Sequence, residues 1–257
     1  MSAPDILAIL SGGAVGLVLA LIGGGGSILA TPALLYVVGV ANPHVAIGTS
    51  ALAVSVNAFA NFLHHLKRGN VRWRCAAVFA AAGVIGAAVG AAVGKQTDAQ
   101  ILLPLFALLM IVVGIAMLIP RKSEAGGEVK LDARTAPRLL MYGAGVGALS
   151  GFFGIGGGFL IVPGLIAAAG MSMIQAIGSS LFSVGAFGAT TATSYAADGL
   201  IDWRIALLFI GGGIVGGAIG AGFASHLAKQ RGALQRVFAG VVFAVAAYML
   251  WRSFVSR

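Results

Sequence analysis

From Ala99 to Ile119 the chain runs without one charged side chain, and five more apolar stretches (45–66, 75–94, 174–197, 205–227 and 233–251) carry between them only Arg236. About 20 apolar residues in a helix cross the roughly 30 Å of hydrocarbon in a bilayer, so these six stretches read as transmembrane helices. Composition agrees. Of 257 residues, 59% are hydrophobic and 9% charged, where soluble domains carry about 25% charged residues. The net charge of +9 does not point to nucleic acid, because the basic residues are sparse and confined to short loops. Cys75 stands alone, which excludes an internal disulfide and any multi-cysteine metal site. The stretch Met1–Asp5 lacks the positive start of a cleaved signal peptide.

Two further apolar regions, 6–40 and 138–171, are each too long for one comfortable crossing. Glycines cut both: Gly23-Gly24-Gly25-Gly26 in the first, Gly154-Ile155-Gly156-Gly157-Gly158 in the second. The pieces after the cuts, 27–40 and 159–170, would be only about 20 Å long as helices, too short to span alone.

The cuts belong to a repeat. Gly23 to Pro32 aligns with Gly154 to Pro163 at an offset of 131, and Ala46-Ile47-Gly48-Thr49-Ser50 meets Ala176-Ile177-Gly178-Ser179-Ser180 at 130. That second offset also pairs Gly69, Trp73 and Arg74 with Gly199, Trp203 and Arg204, and Gly83, Gly86 and Gly90 with Gly213, Gly216 and Gly220. The chain divides into a first repeat, 5–119, a linker, 120–136, and a second repeat, 137–255, together one transmembrane domain.

Charge orients the repeats. Loop 67–74 carries Lys67, Arg68, Arg72 and Arg74, whereas its counterpart 198–204 holds Asp198, Asp202 and Arg204. The positive-inside rule puts the first in the cytoplasm and the second outside. With the linker and loop 228–236 also cytoplasmic, every basic residue except Lys95, Arg204, Arg252 and Arg257 lies inside, and both termini lie outside. Equivalent loops facing opposite sides mean inverted repeats, so each long region must begin and end on the same side. The expected fold is an all-α integral membrane protein of two inverted repeats. Each repeat is a glycine-broken re-entrant hairpin of two short helices, its apex near mid-membrane, followed by three transmembrane helices. One ordinary span in each long region is the alternative, and it misplaces the charges.

A helix that starts inside a membrane presents unpaired N–H groups and the positive end of its dipole, and glycines let an anion approach them. Two inverted hairpins bring Gly24, Gly25, Gly26 and Ser27 toward Gly156, Gly157 and Gly158, the sequence pointer to a transport site. The plainer account is tight packing, which is how Gly86, Gly90 and Gly94 and Gly212, Gly216 and Gly220 read. Thr49 and Ser50 recur as Ser179 and Ser180. Such hydroxyls donate to an anion without a competing charge, or bond back to the preceding helical turn. Asn57, with Asn61 one turn on, matches Phe187 and Thr191, and either lines the path or ties helices together. His44, His64, His65 and His226 sit near span ends, where anchoring competes with a proton relay. Trp73, Trp203 and Trp251 read as interfacial belt residues. Lone Cys75 reads as inert.

No Asp, Glu, Lys or Arg falls at the middle of any expected span, where cation-coupled carriers usually keep a carboxylate. There is no nucleophile–base pair and no metal constellation, and the glycine clusters lack the Lys-Ser/Thr of a phosphate loop. No enzyme, cofactor or nucleic-acid partner is expected. The expected partners are a small anion and the lipid bilayer, and a homo-oligomer is compatible with the pattern.

Taken as a set, Ile22-Gly23-Gly24-Gly25-Gly26 through Pro32-Ala33-Leu34 and Phe153-Gly154-Ile155-Gly156-Gly157-Gly158 through Pro163-Gly164-Leu165 resemble the TauE/SafE family of sulfite exporters over nearly the whole chain. The resemblance implies a bacterial inner-membrane carrier exporting sulfite, a sulfonate or a related sulfur anion. Uptake of an organosulfonate or another inorganic anion is the alternative within transport, and a non-transporting membrane scaffold the alternative outside it. Gly24 stands against Ile155 and Ser27 against Gly158, so the two half-sites are not equivalent.

Overall fold

The computed structural model describes residues 2–22, 24–118, 131–154, 157–227 and 231–255, and among these the regular elements are all helical. Helix α1 (Ala3–Ile22) leads into a return segment built of a 3-10 stretch (Gly24–Leu29), the single turn α2 (Ala30–Pro32) and a π-helical stretch (Ala33–Val38). Then follow α3 (Pro43–Lys67), α4 (Trp73–Gln96), α5 (Ala99–Leu118), α6 (Thr135–Phe153), α7 (Gly158–Ala169), α8 (Met173–Ala197), α9 (Trp203–Leu227) and α10 (Arg231–Val255). The six expected spans correspond to α3, α4, α5, α8, α9 and α10. Among the described residues, five helices are long and apolar enough to cross a membrane: α1, α3, α4, α5 and α9. Most of the linker (119–130), the loop residues 228–230 and Gly23, Ile155 and Gly156 lie outside the described residues.

Local signals start the helices. Asn42 accepts the amide of His44 at 2.9 Å and Pro43 occupies the first position of α3. Ser172 and Gln175 form a capping box on α8. Asp132 accepts the amides of Arg134 and Thr135 ahead of α6, and those bonds hold its carboxyl below the usual carboxylate range.

One expectation needs correcting. The first arm of neither hairpin is short: at 20 and 19 residues α1 and α6 are each about 30 Å long, enough for a full crossing. Gly12, Gly13 and Gly16 do not break α1 because they lie against α9, where a side chain would strike the backbone of Phe209 or Gly213 or approach Gly212. The short arms are the return segment and the 12-residue α7.

Two glycine seams hold the helices together. On α9, Gly212, Gly216 and Gly220 lie against the carbonyls of Ile9, Gly13 and Leu17 on α1; on α4, Gly86, Gly90 and Gly94 lie against Ala144, Ala148 and Phe152 on α6. Residue numbers rise together along both seams, so the paired helices are parallel. Each seam joins one half of the chain to the other. Without side chains between them the backbones approach closely, which brings dispersion and Cα–H···O contacts.

The related helices α3 and α8 cross antiparallel, since Gly48 lies beside Tyr195 and Leu200 while Gly178 lies beside Asn70. At the crossing Ser55 Oγ donates to Gly185 O at 2.7 Å, and these two positions are themselves 130 apart. Lys95 pairs with Asp198 and Arg204 with Asp5, which gathers the start of α1 and loops 96–99 and 198–204 at one end.

Labelling tests which end faces the cytoplasm. In a Cys75→Ala background, Arg68→Cys is expected to react with an impermeant maleimide only from the cytoplasmic side, and Asp198→Cys only from outside. Reaction of both from one side would defeat the inverted arrangement.

Candidate functional site

The second hairpin turns on two left-handed glycines. Gly154 ends α6 at φ 66° and Gly157 caps α7 at φ 64°, left-handed conformations that suit glycine. A Cβ on Gly157 would lie 2.8 Å from Ser150 Cβ and 3.0 Å from its Oγ, with Val146 next; at the matching turn Gly26 abuts Leu19 and Val15. Gly157 is therefore glycine for backbone and packing reasons. Leu160 and Ile161 both donate to Gly157 O, at 2.9 and 3.0 Å. The first amides of α7, on Gly158 and Phe159, precede any acceptor within the helix and so lie at its positive end.

The return segments differ in kind. The second is a regular α-helix from Gly158, whereas the first opens at Gly24 and Gly25 as a six-residue 3-10 stretch. Ser27 and Thr31, both buried, stand there in place of Gly158 and Val162. The segments pass close to each other: Ile28 and Leu29 share an apolar cluster with Phe153 and Leu160. The two apical regions thus come together. Gly156 lies outside the described residues.

The recurring hydroxyls are placed separately. Thr49 Oγ1 accepts the amide of Asp202 at 3.0 Å, ahead of α9, and Ser179 Oγ accepts the amide of Arg72 at 2.9 Å, ahead of α4. Each half thus caps a helix of the other, and neither hydroxyl donates a hydrogen bond among the described residues. Ser50 and Ser180 instead return their protons to Ile47 O and Ile177 O, so Thr31 is the donor in its 2.8 Å bond to Ser50. The two pairs are not brought to one point. Gly48 abuts Tyr195, and Ser180 lies fifteen residues before it on α8, about 22 Å along the axis.

Asn57 is wholly buried against Gly213, and neither amide atom has a partner among the described residues. An unpaired buried polar group costs about 1–3 kcal/mol. Its counterpart Phe187 covers Gly83 and stacks on Phe79 at 6.2 Å. Asn61 ties back to Asn57 O at 2.9 Å and lies beside Gly217, a helix-joining role. Ser150, Ser183 and Thr191 are likewise buried with hydroxyls unpartnered among the described residues.

Ser150 and the cleft at the α1 end were not found by sequence reasoning. The signal for Ser150 was present, since the repeat sets it against Leu19. The cleft, a cavity of about 330 Å³, lies between the π-helical stretch, the start of α5 and the end of α10, with Tyr36, Gln100 and Arg252 in its lining. Its walls come from distant segments, so no local pattern marks it.

The remaining expectations can be placed. His44 faces the ring of Tyr195 at 6.5 Å, and the side chains of His64 and His226 lie outside the described residues. Trp73, Trp203 and Trp251 are exposed, as a belt at a lipid interface requires. Cys75 is buried. No cluster of metal-ligating side chains occurs among the described residues.

A family model described as "Sulfite exporter TauE/SafE" matches residues 8–249. A Xylella fastidiosa protein described as a "Probable membrane transporter protein" is 53% identical over 255 residues, covering 98% of this chain and 97% of its own. Bacillus subtilis YunE, described in the same words, is 27% identical over 237 residues, covering 84% of this chain and 87% of its own. No solved structure matches.

Proposed function

The chain belongs to the sulfite exporter TauE/SafE family, and from that premise we propose that it is a multi-pass membrane transporter that exports sulfite or a sulfonate across the bacterial inner membrane. The observation that carries the anion reading is the start of α7 inside the protein at the buried Gly157 cap. Unlike a carboxylate, a helix N-terminus attracts an oxyanion while repelling a cation. In this reading Gly24, Gly25, Gly26 and Ser27 face the anion from the first half and Gly157 and Gly158 from the second, with Gly156, outside the described residues, expected beside them. Thr49, Ser179 and Asn57 supply neutral hydrogen-bonding groups along the path, and Ser50 and Ser180 hold their own helices in shape beside it.

The inverted-repeat reading, 5–119 against 137–255 about the linker 120–136, draws support from two features. The antiparallel crossing of α3 and α8 centres on matched positions, and the same contacts recur across the 130 offset. Inverted repeats with broken helices suit alternating access, one half rocking against the other around a fixed site. A scaffold would have little use for buried, unpartnered polar groups of this kind.

Flux into proteoliposomes tests the reading. Labelled sulfite or a taurine-like sulfonate is expected to cross with saturable kinetics, and sulfate serves as the comparison oxyanion. Equal leakage of all three through protein-free and protein-containing vesicles would refute transport of these anions.

A further inference from the structure

The residues of the first arms that lie against Gly26 and Gly157 match at one position and differ in chemical kind at the other. Val15 corresponds to Val146 and Gly26 to Gly157, but Leu19 corresponds to Ser150. Both Leu19 and Ser150 are wholly buried. A serine side chain is two heavy atoms smaller than leucine, and neither neighbour grows to fill the difference. The polar residue also stands in the half where the return segment is a true α-helix, directly beside its cap Gly157.

The Ser150 hydroxyl shares its unpartnered state with Ser183 and Thr191, and of the three it is the one that lies against Gly157. Ser50, Ser180, Thr97, Thr190 and Thr193 each return their proton to a carbonyl of the preceding turn. Ser150 does not, and its Oγ has no partner among the described residues. A buried donor that declines the local acceptor and lies at the positive start of a helix is placed for an acceptor from elsewhere.

We infer that Ser150 donates a hydrogen bond to an oxygen of the transported oxyanion, which rests at the N-terminus of α7 in the second half only. The inference rests on the anion-transport reading above. It makes the binding point asymmetric: the first half, with Leu19 in place of the donor and a 3-10 return segment, forms the wall rather than a second equivalent site.

The experiment compares Ser150→Ala, Ser150→Thr and Ser150→Leu with the natural protein. The readouts are sulfite flux in proteoliposomes and thermal unfolding of the purified full chain with and without sulfite. Loss of a bond to an ionised ligand is expected to raise KM about ten- to a hundredfold in Ser150→Ala. Ser150→Thr keeps the hydroxyl and is expected to stay within about threefold. Ser150→Leu reproduces the first-half residue and is expected to abolish flux.

Without sulfite, Ser150→Ala is expected to melt at or above the natural temperature, since it removes an unpaired buried group. The rise in melting temperature produced by sulfite should shrink with the logarithm of the lost affinity. A purely structural serine would show the reverse, a lower melting temperature with an unchanged sulfite response. An unchanged KM in Ser150→Ala, with the natural protein active, overturns the role of Ser150 and leaves anion transport standing. A natural protein that moves neither sulfite nor sulfonate and gains no stability from sulfite overturns both. If Ser150→Ala does not fold, the KM of Ser150→Thr against Ser150→Cys decides: an equal KM in these two counts against a hydroxyl donor.

Discussion

Gly216→Ala is expected to destabilise the protein severely, and Gly211→Ala, on the same helix, is not. A Cβ at Gly216 would overlap the carbonyl of Gly13 on α1, whereas a Cβ at Gly211 meets nothing. The obstacle at Gly216 is backbone, which cannot rotate aside, so α1 and α9 must separate along the whole seam. Overpacking of an interior costs about 1–3 kcal/mol and occasionally more. The upper end applies here because Gly212 and Gly220 contact α1 on either side. At Gly211 the change instead gains about 0.5–1 kcal/mol in helix preference. The same contrast is expected between Gly90→Ala, against Ala148 on α6, and Gly240→Ala, in open space on α10. Melting of detergent-solubilised protein reads the difference. Equal melting temperatures for Gly216→Ala and Gly211→Ala would mean that the seams are not what holds the halves together.

Transport of a permanently ionised sulfonate is expected to follow membrane potential and to ignore a pH gradient. Among the described residues, the ion pairs sit at a helix end: Lys95 with Asp198, and Arg204 with Asp5. The turns around Gly26 and Gly157 contain no ionisable side chain, so no group there can carry a proton beside the substrate. One negative charge crossing 100 mV gains about 2.3 kcal/mol, which corresponds to a concentration ratio of roughly fifty-fold. A cell negative inside therefore drives an anion outward without a coupling ion. A potassium–valinomycin potential at equal pH is expected to drive accumulation on the positive side and, when reversed, to reverse it. Sulfite is the poorer probe because it titrates near neutral pH. Accumulation of the sulfonate driven by a pH gradient at zero potential would refute the hypothesis and direct attention to His44.

The amino-acid sequence by itself determined the parts of this protein that depend on short stretches of chain. The six apolar runs became α3, α4, α5, α8, α9 and α10 within a few residues, because the length of an apolar run is all that lipid requires of a helix. Spaced glycines announced close packing, and the offsets of 130 and 131 divided the chain into two related halves. Tertiary structure decided which partner each residue met. That α1 runs full length over Gly12, Gly13 and Gly16 depends on the α9 backbone lying against them. Thr49 and Ser179 read as substrate hydroxyls or as groups bonding back to their own helices; that each accepts an amide ahead of a helix of the opposite half depends on how the halves pack. Nothing in the local sequence around Ser150 marks it apart from its small neighbours. Only the fold of α7 back against α6 puts its hydroxyl beside the Gly157 cap, and such a contact exists only once the hairpin has closed.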